Sequence, residues 1–517
     1  MSLSYRDTGL VNRRSFIALL SLVFLQWVIE SMVLAETRII PALSVTGTYD
    51  SNVFYTPKSL LSPGTKPEDY YAMITPQIIA SHTGSSITGS LSVGALVTKY
   101  VNNPSLDYTG INASGMVDLR NYVYKFVPRI ESLSVMGTYQ YTPSMSAFGA
   151  SGVGSMSGGF GTVGVVGPLD AGLVASRVSM QNIMAMITGG YRLTPVTSMS
   201  GNFSYTQLKF GNQSGGLNNQ FFDTSGQTGV VTLTTRLSAR DSVGTTTTLS
   251  HFEQSGSSST TGGGGGSGSF TTINGMLNWG RQWSREFNTS LSGGGLLTLP
   301  IESQIPGEKI KSQLTPTALA LLSYTSYSET LKAAGASLSS LSPFEGLPPL
   351  AGSLQPGAIF APGRYNATLS YNLSVFPSYA FGAGPMKAHV IGANATAGLT
   401  SNLTANGGLN YSHGSINTPA STFDTVGLTG GLNYLFGSSF VGSITYSWLY
   451  FANSGGIQGG TVGEDIAFSK KMIMVSLSYA FNSRQFFRAG SFSSIGGGAS
   501  NSPTPSPNPI PDMKLTN

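Results

Sequence analysis

Residues 430–451, GGLNYLFGSSFVGSITYSWLYF, alternate between apolar and small polar side chains on both sides of a short break, FGSS. The apolar set of alternate positions is Leu432, Tyr434, Phe436, Ile444, Tyr446, Trp448 and Tyr450. The other set is Gly431, Asn433, Ser443, Thr445 and Ser447. A repeat of two residues is the period of a β-strand. The stretch therefore predicts a β-hairpin with one apolar face, one neutral polar face and no charged residue.

The same alternation continues along most of the chain. It is found in the segments 40–49, 73–84, 87–100, 108–120, 129–141, 181–192, 197–209, 227–238, 243–254, 270–283, 287–299, 314–327, 331–341, 364–375, 387–398, 403–413, 423–436, 440–451 and 472–481. Short and long connections alternate between these segments, but the rhythm slips by one between 342 and 386. Either one segment assigned there is not a strand, or a further strand was missed within Pro349–Phe360. Residues 142–180 are a candidate for extending one hairpin above a membrane. Because bacterial single-chain barrels have even strand numbers, we expect an even number between about 16 and 20.

The low charge of the chain indicates what surrounds these strands. Only 9% of the residues are charged, whereas soluble domains have about 25%. A soluble β-sandwich would carry Lys, Glu and Asp on its outer face, but here the second face carries Ser, Thr, Asn and Gly. In a bilayer, a sheet is stable only when it closes and pairs every backbone group. The sequence therefore predicts an all-β fold, a transmembrane antiparallel β-barrel with an apolar exterior and a wet interior.

Net charge and cysteine content exclude two other classes of function. The formal charge of +5 is too small and too scattered for a nucleic-acid surface. The chain has no Cys, which excludes disulfides and thiolate metal sites.

The N-terminus has the pattern of a cleaved export signal. Arginines precede an apolar run, Phe16–Ile29, and VLA at 33–35 ends in a small residue. The run is shorter than the about 20 residues of a membrane-spanning helix, which favours a signal peptide over residues 1–35. We therefore expect a barrel over 36–481 in the bacterial outer membrane. The Gly/Ser/Pro-rich residues 482–517 are expected to be a disordered tail.

Aromatic residues recur near the predicted strand ends, as in the interfacial girdles of membrane barrels. They are Tyr49, Phe54, Tyr139, Tyr141, Tyr411, Tyr434, Trp448 and Tyr450. Lys99 and Arg281 fall on outward rows, but at strand ends, where the cost of about 2–4 kcal/mol for a midplane charge disappears. Asp118, Arg120 and Arg236 have the parity of the inner face. These three residues are the candidates for pore-lining charges.

Three stretches resemble a family of bacterial outer-membrane β-barrels. The first, LSVTGTYDSNVF (43–54), contains Tyr-Asp-x-Asn followed by two hydrophobic residues, with Tyr49, Asp50 and Asn52 as its polar members. ITPQIIAS (74–81) resembles the second strand of these proteins, and GEDIAFSKKMIMVSLSYAF (463–481) resembles their closing strand. The chain is in these respects similar to the type-2 β-barrel porins and to the related barrels of exosortase and exopolysaccharide gene clusters. The resemblance implies an outer-membrane channel or an export-associated barrel.

Catalytic patterns are scarce. The histidines are His82, His251, His389 and His413. They are scattered, and none has a partner at the spacing of an H-E-x-x-H metal motif. A lipase would need a Ser-His arrangement assembled by folding, and no G-x-S-x-G elbow is present. We expect no enzymatic activity, no metal and no cofactor.

Two further motifs have simpler structural interpretations. GFGTVG (159–164) is followed by Pro168, which favours a turn over a dinucleotide site. Asp50 and Asn52 supply two oxygen ligands, whereas calcium takes about six to eight. We therefore expect Asp50 and Asn52 to hold a turn at the barrel rim through hydrogen bonds to the backbone.

These observations predict a transport function. Barrels of about 16–18 strands typically leave an aqueous lumen, and Ser, Thr, Asn and Gly would line it. We expect passive, porin-like passage of polar solutes or a saccharide, linked to exopolysaccharide export, with weak ion selectivity. The alternative is a structural or surface-binding barrel whose lumen is plugged by residues 142–180 or 342–363. The expected partners are outer-membrane lipid, the barrel-assembly machinery and polysaccharide or small polar solutes, and no nucleic acid.

Overall fold

A computed structural model describes the central part of the chain. It covers residues 36–480 except 55–56, 62–63, 147–176, 211–222, 256–266, 300, 303–308, 311, 327–364, 378–384, 418–419, 437–439, 455–456, 459–460 and 463–465. The predicted signal peptide, the predicted tail and the GFGTVG motif lie outside the described residues.

Eighteen antiparallel strands form one closed sheet, which confirms the predicted fold class and strand number. They are β1 (Glu36–Asp50), β2 (Asp69–Thr83), β3 (Thr88–Tyr100), β4 (Tyr108–Asp118), β5 (Ile130–Ser146), β6 (Arg177–Arg192), β7 (Thr197–Phe210), β8 (Asp223–Arg236), β9 (Asp241–Ser255), β10 (Ser267–Gln282), β11 (Phe287–Thr298), β14 (Gln313–Thr325), β15 (Tyr365–Pro377), β16 (Pro385–Gly398), β17 (Leu403–Asn417), β18 (Ala420–Phe436), β19 (Phe440–Ser454) and β22 (Ile466–Ala480). Two short hairpins lie in connections: β12 (Ile301–Glu302) with β13 (Lys309–Ile310), and β20 (Ile457–Gln458) with β21 (Thr461–Val462).

Helical structure is minor in the described residues. It consists of 3-10 turns at Lys58–Leu60 and Pro104–Leu106 and one short α-helix, Arg120–Tyr124. No helix in this part of the chain is long and apolar enough to cross a bilayer.

The sheet closes because its first and last strands pair. Each barrel strand pairs with its neighbours in the chain, and β1 also pairs with β22 from Ala42↔Ala480 to Asp50↔Met472. β14 pairs directly with β15, for example at Ala318↔Leu373. The sheet therefore closes without the predicted strand at 331–341, which lies outside the described residues. The other eighteen predicted strands each overlap one strand of the barrel, so the number of barrel strands is even, as expected.

The two faces of the wall differ as predicted from residues 430–451. Leu432 and Ile444 face outward and are 48% and 56% exposed, whereas the inward Ser447 is 3% exposed. Large apolar side chains are exposed in the same way around the exterior, from Val45 on β1 to Val475 on β22. An exposed apolar surface of this extent is stable only against lipid. The chain is therefore a β-barrel of the bacterial outer membrane.

Charged residues on the outward face lie near the strand ends. Lys99, next to the last residue of β3, forms an ion pair with Asp107 over 2.8 Å. Arg281, next to the last residue of β10, lies 3.6 Å from Asp241 and stacks on Trp283. Both positions confirm the prediction that these charges avoid the bilayer midplane.

Several short turns at one rim each contain a Ser or Thr whose hydroxyl bonds to the backbone of the turn. Thr194, Ser238, Ser284 and Thr400 occupy the second position of four such turns. In each turn the side-chain oxygen accepts two backbone N–H groups, as Ser284 Oγ does from Glu286 and Phe287 over 3.2 and 3.0 Å. Such bonds satisfy donors that the strand ladder leaves free. In bacterial barrels the short turns face the periplasm, so this rim is the periplasmic one.

Candidate functional site: the lumen and its two rims

Neutral polar side chains line the inner face of the wall and bond to one another across strands. Thr228 on β8 donates to Ser250 on β9 over 3.0 Å. Ser44 on the first strand and Ser478 on the last are joined over 2.9 Å. Each hydroxyl has two acceptor lone pairs beside its own donor, so a hydroxyl bonded to its neighbour still has capacity for a solute. The wall can therefore bind uncharged polar groups without carrying charge.

Solvent reaches the periplasmic half of the inner face more than the outer half. On β8, the inward residues Thr224 and Val230 are buried, whereas Arg236 at the periplasmic end of the same strand is exposed. The inward residues of β7, β9, β10 and β11 show the same gradient. Along these strands the inner face is accessible to solvent toward the periplasm and buried toward the outer rim.

Inward-facing aromatic rings pack in pairs in the outer half. Phe252 and Phe270 have ring centroids 4.9 Å apart, and Phe451 and Phe468 have centroids 5.3 Å apart. All four side chains are at most 6% exposed. We call these four residues the outer collar. Aromatic pairs with this spacing attract one another beyond their area burial, so each pair forms a buried apolar patch on the outer half of the inner face.

The outer collar was not predicted from the sequence, because the inner face was expected to be polar throughout. Its signal is a break in alternation. Tyr450 and Phe451 are adjacent aromatic residues, so one of them must face inward if the other faces lipid.

A buried ion pair joins the first and last strands at the outer rim. Lys470 Nζ on β22 lies 2.6 Å from Asp50 Oδ2 on β1, and the two side chains are 2% and 3% exposed. Asp50 Oδ1 also accepts the backbone N–H of Asn52 over 2.9 Å. Asp50 therefore bonds to the backbone of the rim turn, and Asn52 contributes its backbone N–H to this bond. The carboxylate of Asp50 is already occupied by Lys470, a partner that sequence spacing could not identify because it lies on the closing strand.

Asp69, which lies opposite Asp50 in the β1–β2 ladder, holds the neighbouring loops. Its carboxylate is fully buried and accepts the backbone N–H groups of Tyr70, Asn102 and Asn103 over 2.7, 2.8 and 2.8 Å. The side-chain amide of Asn103 is a fourth donor, at 2.9 Å. Charge-assisted bonds of this kind are the strong ones, so this residue fixes the connection after β3 to the start of β2.

The third member of the family motif faces the other way. Tyr49 lies on the outer face, and its ring centroid is 5.0 Å from that of Tyr70. Its position at the outer end of the wall agrees with the predicted aromatic girdle.

The candidate pore-lining charges lie at the periplasmic rim. Asp118 is the last residue of β4 and accepts the backbone N–H of Arg120 over 2.8 Å. Arg120 is not on the strand but begins the short helix, so the strand parity used to predict its direction does not apply to it. Arg236 is the last residue of β8, has inward parity and is exposed. Whether these residues meet a solute remains a prediction.

The scattered histidines include one pair that the fold brings together. His389 and His413 lie opposite each other on β16 and β17, with ring centroids 6.4 Å apart. His413 Nδ1 is 3.0 Å from Asp424 Oδ1. This pair lies on the outer face, away from the lumen. In the described part of the chain, no group of three or more His, Asp or Glu side chains is arranged to hold a metal ion.

Comparison with known proteins relates the chain to others by structure alone. No protein-family model and no curated protein matches its sequence. Among solved structures, it is similar to the FrpB iron transporter of Neisseria meningitidis, with 6% identity over 88% of this chain and 82% of that chain and a TM-score of 0.41. It is also similar to the copper transporter OprC, with 8% identity over 86% and 81% of the two chains and a TM-score of 0.41. A third is the outer-membrane protein OpdK of Pseudomonas aeruginosa, with 10% identity over 86% and 99% and a TM-score of 0.38.

Proposed function

We propose that this barrel is an outer-membrane channel that passes polar solutes or a saccharide chain and is loaded from the periplasmic side. The observation that carries the proposal is the gradient on the inner face, where a neutral polar wall is open to solvent at its periplasmic half. A closed sheet of eighteen strands is wide enough for an aqueous lumen. The outer half, which contains the outer collar, is the closed part of the path.

A link to exopolysaccharide export is the finer part of this proposal. It is supported by the resemblance of residues 43–54 to the first strand of barrels from exopolysaccharide gene clusters. It is also supported by the wall chemistry, since hydroxyl and amide groups pair well with sugar hydroxyls.

The burial of the outer collar favours a second function, a structural or surface-binding barrel with a plugged lumen. Phe451 is fully buried although it faces inward. In a freely open pore, an inward phenyl ring would be in contact with water. If the closed half never opens, the outer loops rather than the lumen carry the function.

Planar-bilayer conductance of the purified mature chain separates these two functions. We expect an ohmic pore, with a larger conductance when Phe252 and Phe451 are replaced by Ser. Met276→Ser is the matched control, because Met276 faces inward in the solvent-exposed half and should leave conductance unchanged. Failure of every variant to conduct, including one that lacks residues 147–176 and 342–363, would reject the channel and favour the plugged barrel.

We also propose that the chain is not an enzyme. A phospholipid or lipid A turnover assay with the same purified protein tests this, and product formation by the wild-type chain would refute it.

A further inference from the structure

Basic side chains are concentrated on one part of the periplasmic rim. The turns and strand ends from β4 to β11 carry eight basic residues against four acidic ones. The basic residues are Arg120, Lys125, Arg129, Arg192, Arg236, Arg240, Arg281 and Arg285. The acidic residues are Asp118, Glu131, Asp241 and Glu286. We call this part of the rim the basic crescent.

The rest of the described periplasmic rim has little charge. The turns at 84–87 and 399–402 contain no charged residue. The low overall charge of the chain therefore hides a local excess of positive charge. Such an excess creates a potential that attracts anions within about 8 Å of the surface at physiological salt.

Some members of the crescent are neutralised by neighbours and others are not. Arg192 Nε donates to Glu131 over 2.6 Å, and Arg281 pairs with Asp241 over 3.6 Å. Within the described residues, Arg236, Arg240 and Arg285 take part in no ion pair, and all three are exposed. Lys125 and Arg129 are also exposed and outside the ion pairs, but each donates to a neighbour, to Ser86 Oγ over 3.0 Å and to the Leu193 carbonyl over 3.2 Å. Arg236, Arg240 and Arg285 are therefore the exposed cations of the crescent whose side chains make no hydrogen bond or ion pair within the described residues.

The position of the crescent distinguishes a solute from other anionic partners. Arg236 and Arg192 have inward parity at the ends of β8 and β6, so they face the lumen rather than the lipid. A phospholipid on the outer wall lies on the opposite face of the sheet from Arg236, and a folded acidic protein would have to enter the mouth to reach it. Arg240 and Arg285 lie in the turns that form the rim itself. The adjoining wall on β7 to β11 is the solvent-exposed half described above, so a solute has a wet path from the crescent inward.

We infer that the basic crescent receives an acidic saccharide, one that carries carboxylate or phosphate groups, and guides it into the lumen from the periplasmic side. This inference rests on the proposed channel function and names its substrate class. Guanidinium groups bind carboxylate and phosphate through paired N–H donors, and the neutral wall binds the sugar hydroxyls. The expected weak ion selectivity then becomes a preference for anions at one mouth.

The test compares an oligogalacturonate tetramer with maltotetraose, a neutral oligomer of equal length, by titration calorimetry on the full mature chain in detergent. We expect the acidic oligomer to bind about tenfold more tightly, the change that two or three exposed charge pairs produce. The variant Arg236→Gln/Arg240→Gln/Arg285→Gln should lose this preference. The control Lys99→Gln/Lys209→Gln/Lys471→Gln removes the same charge from the outer rim and should keep it. Heat-modified gel mobility checks that both variants fold.

Bilayer recordings then separate failure of the inference from failure of the channel. A wild-type pore that the acidic oligomer blocks from the periplasmic side only, and that the crescent variant leaves unblocked, supports the inference. A wild-type pore that both oligomers block equally overturns the inference and leaves the channel intact. Absence of any pore rejects the channel itself. If vesicles of anionic phospholipid, and not the oligomer, lose binding in the crescent variant, the crescent is a lipid anchor and the inference is wrong.

Discussion

Replacement of Lys470 by Met should destabilise the barrel by about 3–5 kcal/mol, because it leaves the carboxylate of Asp50 buried without its counter-charge. The magnitude follows from the burial of the pair. With the two side chains 2% and 3% exposed and the charged atoms 2.6 Å apart, water cannot screen the pair or replace the missing partner. An exposed pair would be worth only about 0–1 kcal/mol.

Lys471 provides a matched control on the same strand. Its side chain points to the opposite face and is exposed, so Lys471→Met should change stability by less than about 0.5 kcal/mol. The double variant Asp50→Asn/Lys470→Met should recover much of the loss, since it leaves neither charge unpaired.

The assay is urea unfolding of the purified mature chain in lipid vesicles, followed by tryptophan fluorescence. Trp448 lies on β19, which pairs with β22, so in a Trp279→Phe/Trp283→Phe background its emission reports on the strand that carries Lys470. An equal effect of Lys470→Met and Lys471→Met would refute the reasoning. So would strictly additive effects of the Asp50 and Lys470 replacements, because a pair in contact must show coupling.

Three further predictions use the same unfolding assay. Leu409→Lys places a charge on the outward face and should lower the free energy of unfolding by about 2–4 kcal/mol. Asn406→Lys, at an inward and exposed position of the same strand, should lower it much less, and equal losses would contradict the assigned faces. Gly414→Ala should cost about 1–3 kcal/mol, because a Cβ there would clash with the ring of Phe423, whereas Gly407→Ala meets only an ordinary contact at 3.7 Å and should be tolerated. A tolerated Gly414→Ala would show that the ring can move away. Ser284→Ala should cost about 1 kcal/mol through its two lost backbone bonds, and an unchanged midpoint would show that water replaces the hydroxyl.

Most of the fold could be predicted from the sequence because alternation alone determines which residues face lipid. Hairpin 430–451 is an example: the seven apolar residues assigned to one face from the period all have outward parity, and only Phe440, at the start of β19, was added to that face by the structure. The even strand number was confirmed. The predicted strand at 331–341 lies outside the described residues and is not needed for the sheet to close, and a short alternating run is consistent with a strand or with a connection. Periodicity cannot distinguish these two cases, whereas the direct pairing of β14 with β15 does.

The site was less predictable, because its main contacts join distant parts of the chain. Asp50 was singled out, but its partner Lys470 is 420 positions away, and only closure brings them together. Asp69 depends on backbone N–H groups of a loop, which no motif signals. The basic crescent has no local signature either, since its arginines are spread over 166 positions from Arg120 to Arg285 and become neighbours only when the turns share a rim.

The recurring hydroxyl turns make each hairpin between them an interchangeable unit. Leu237 and Trp283 occupy the same position in successive turns. The side chains that precede them alternate between the inner and the outer face in the same phase. Excision of residues 238–283 would join Leu237 to Ser284 and leave a complete turn of the same kind, so that β8 could pair with β11 in register. The product would be a narrower ring of sixteen strands. Duplication or loss of one gene segment would thus add or remove one whole hairpin. The width of the lumen would change, and the remaining strands of the wall would need no redesign.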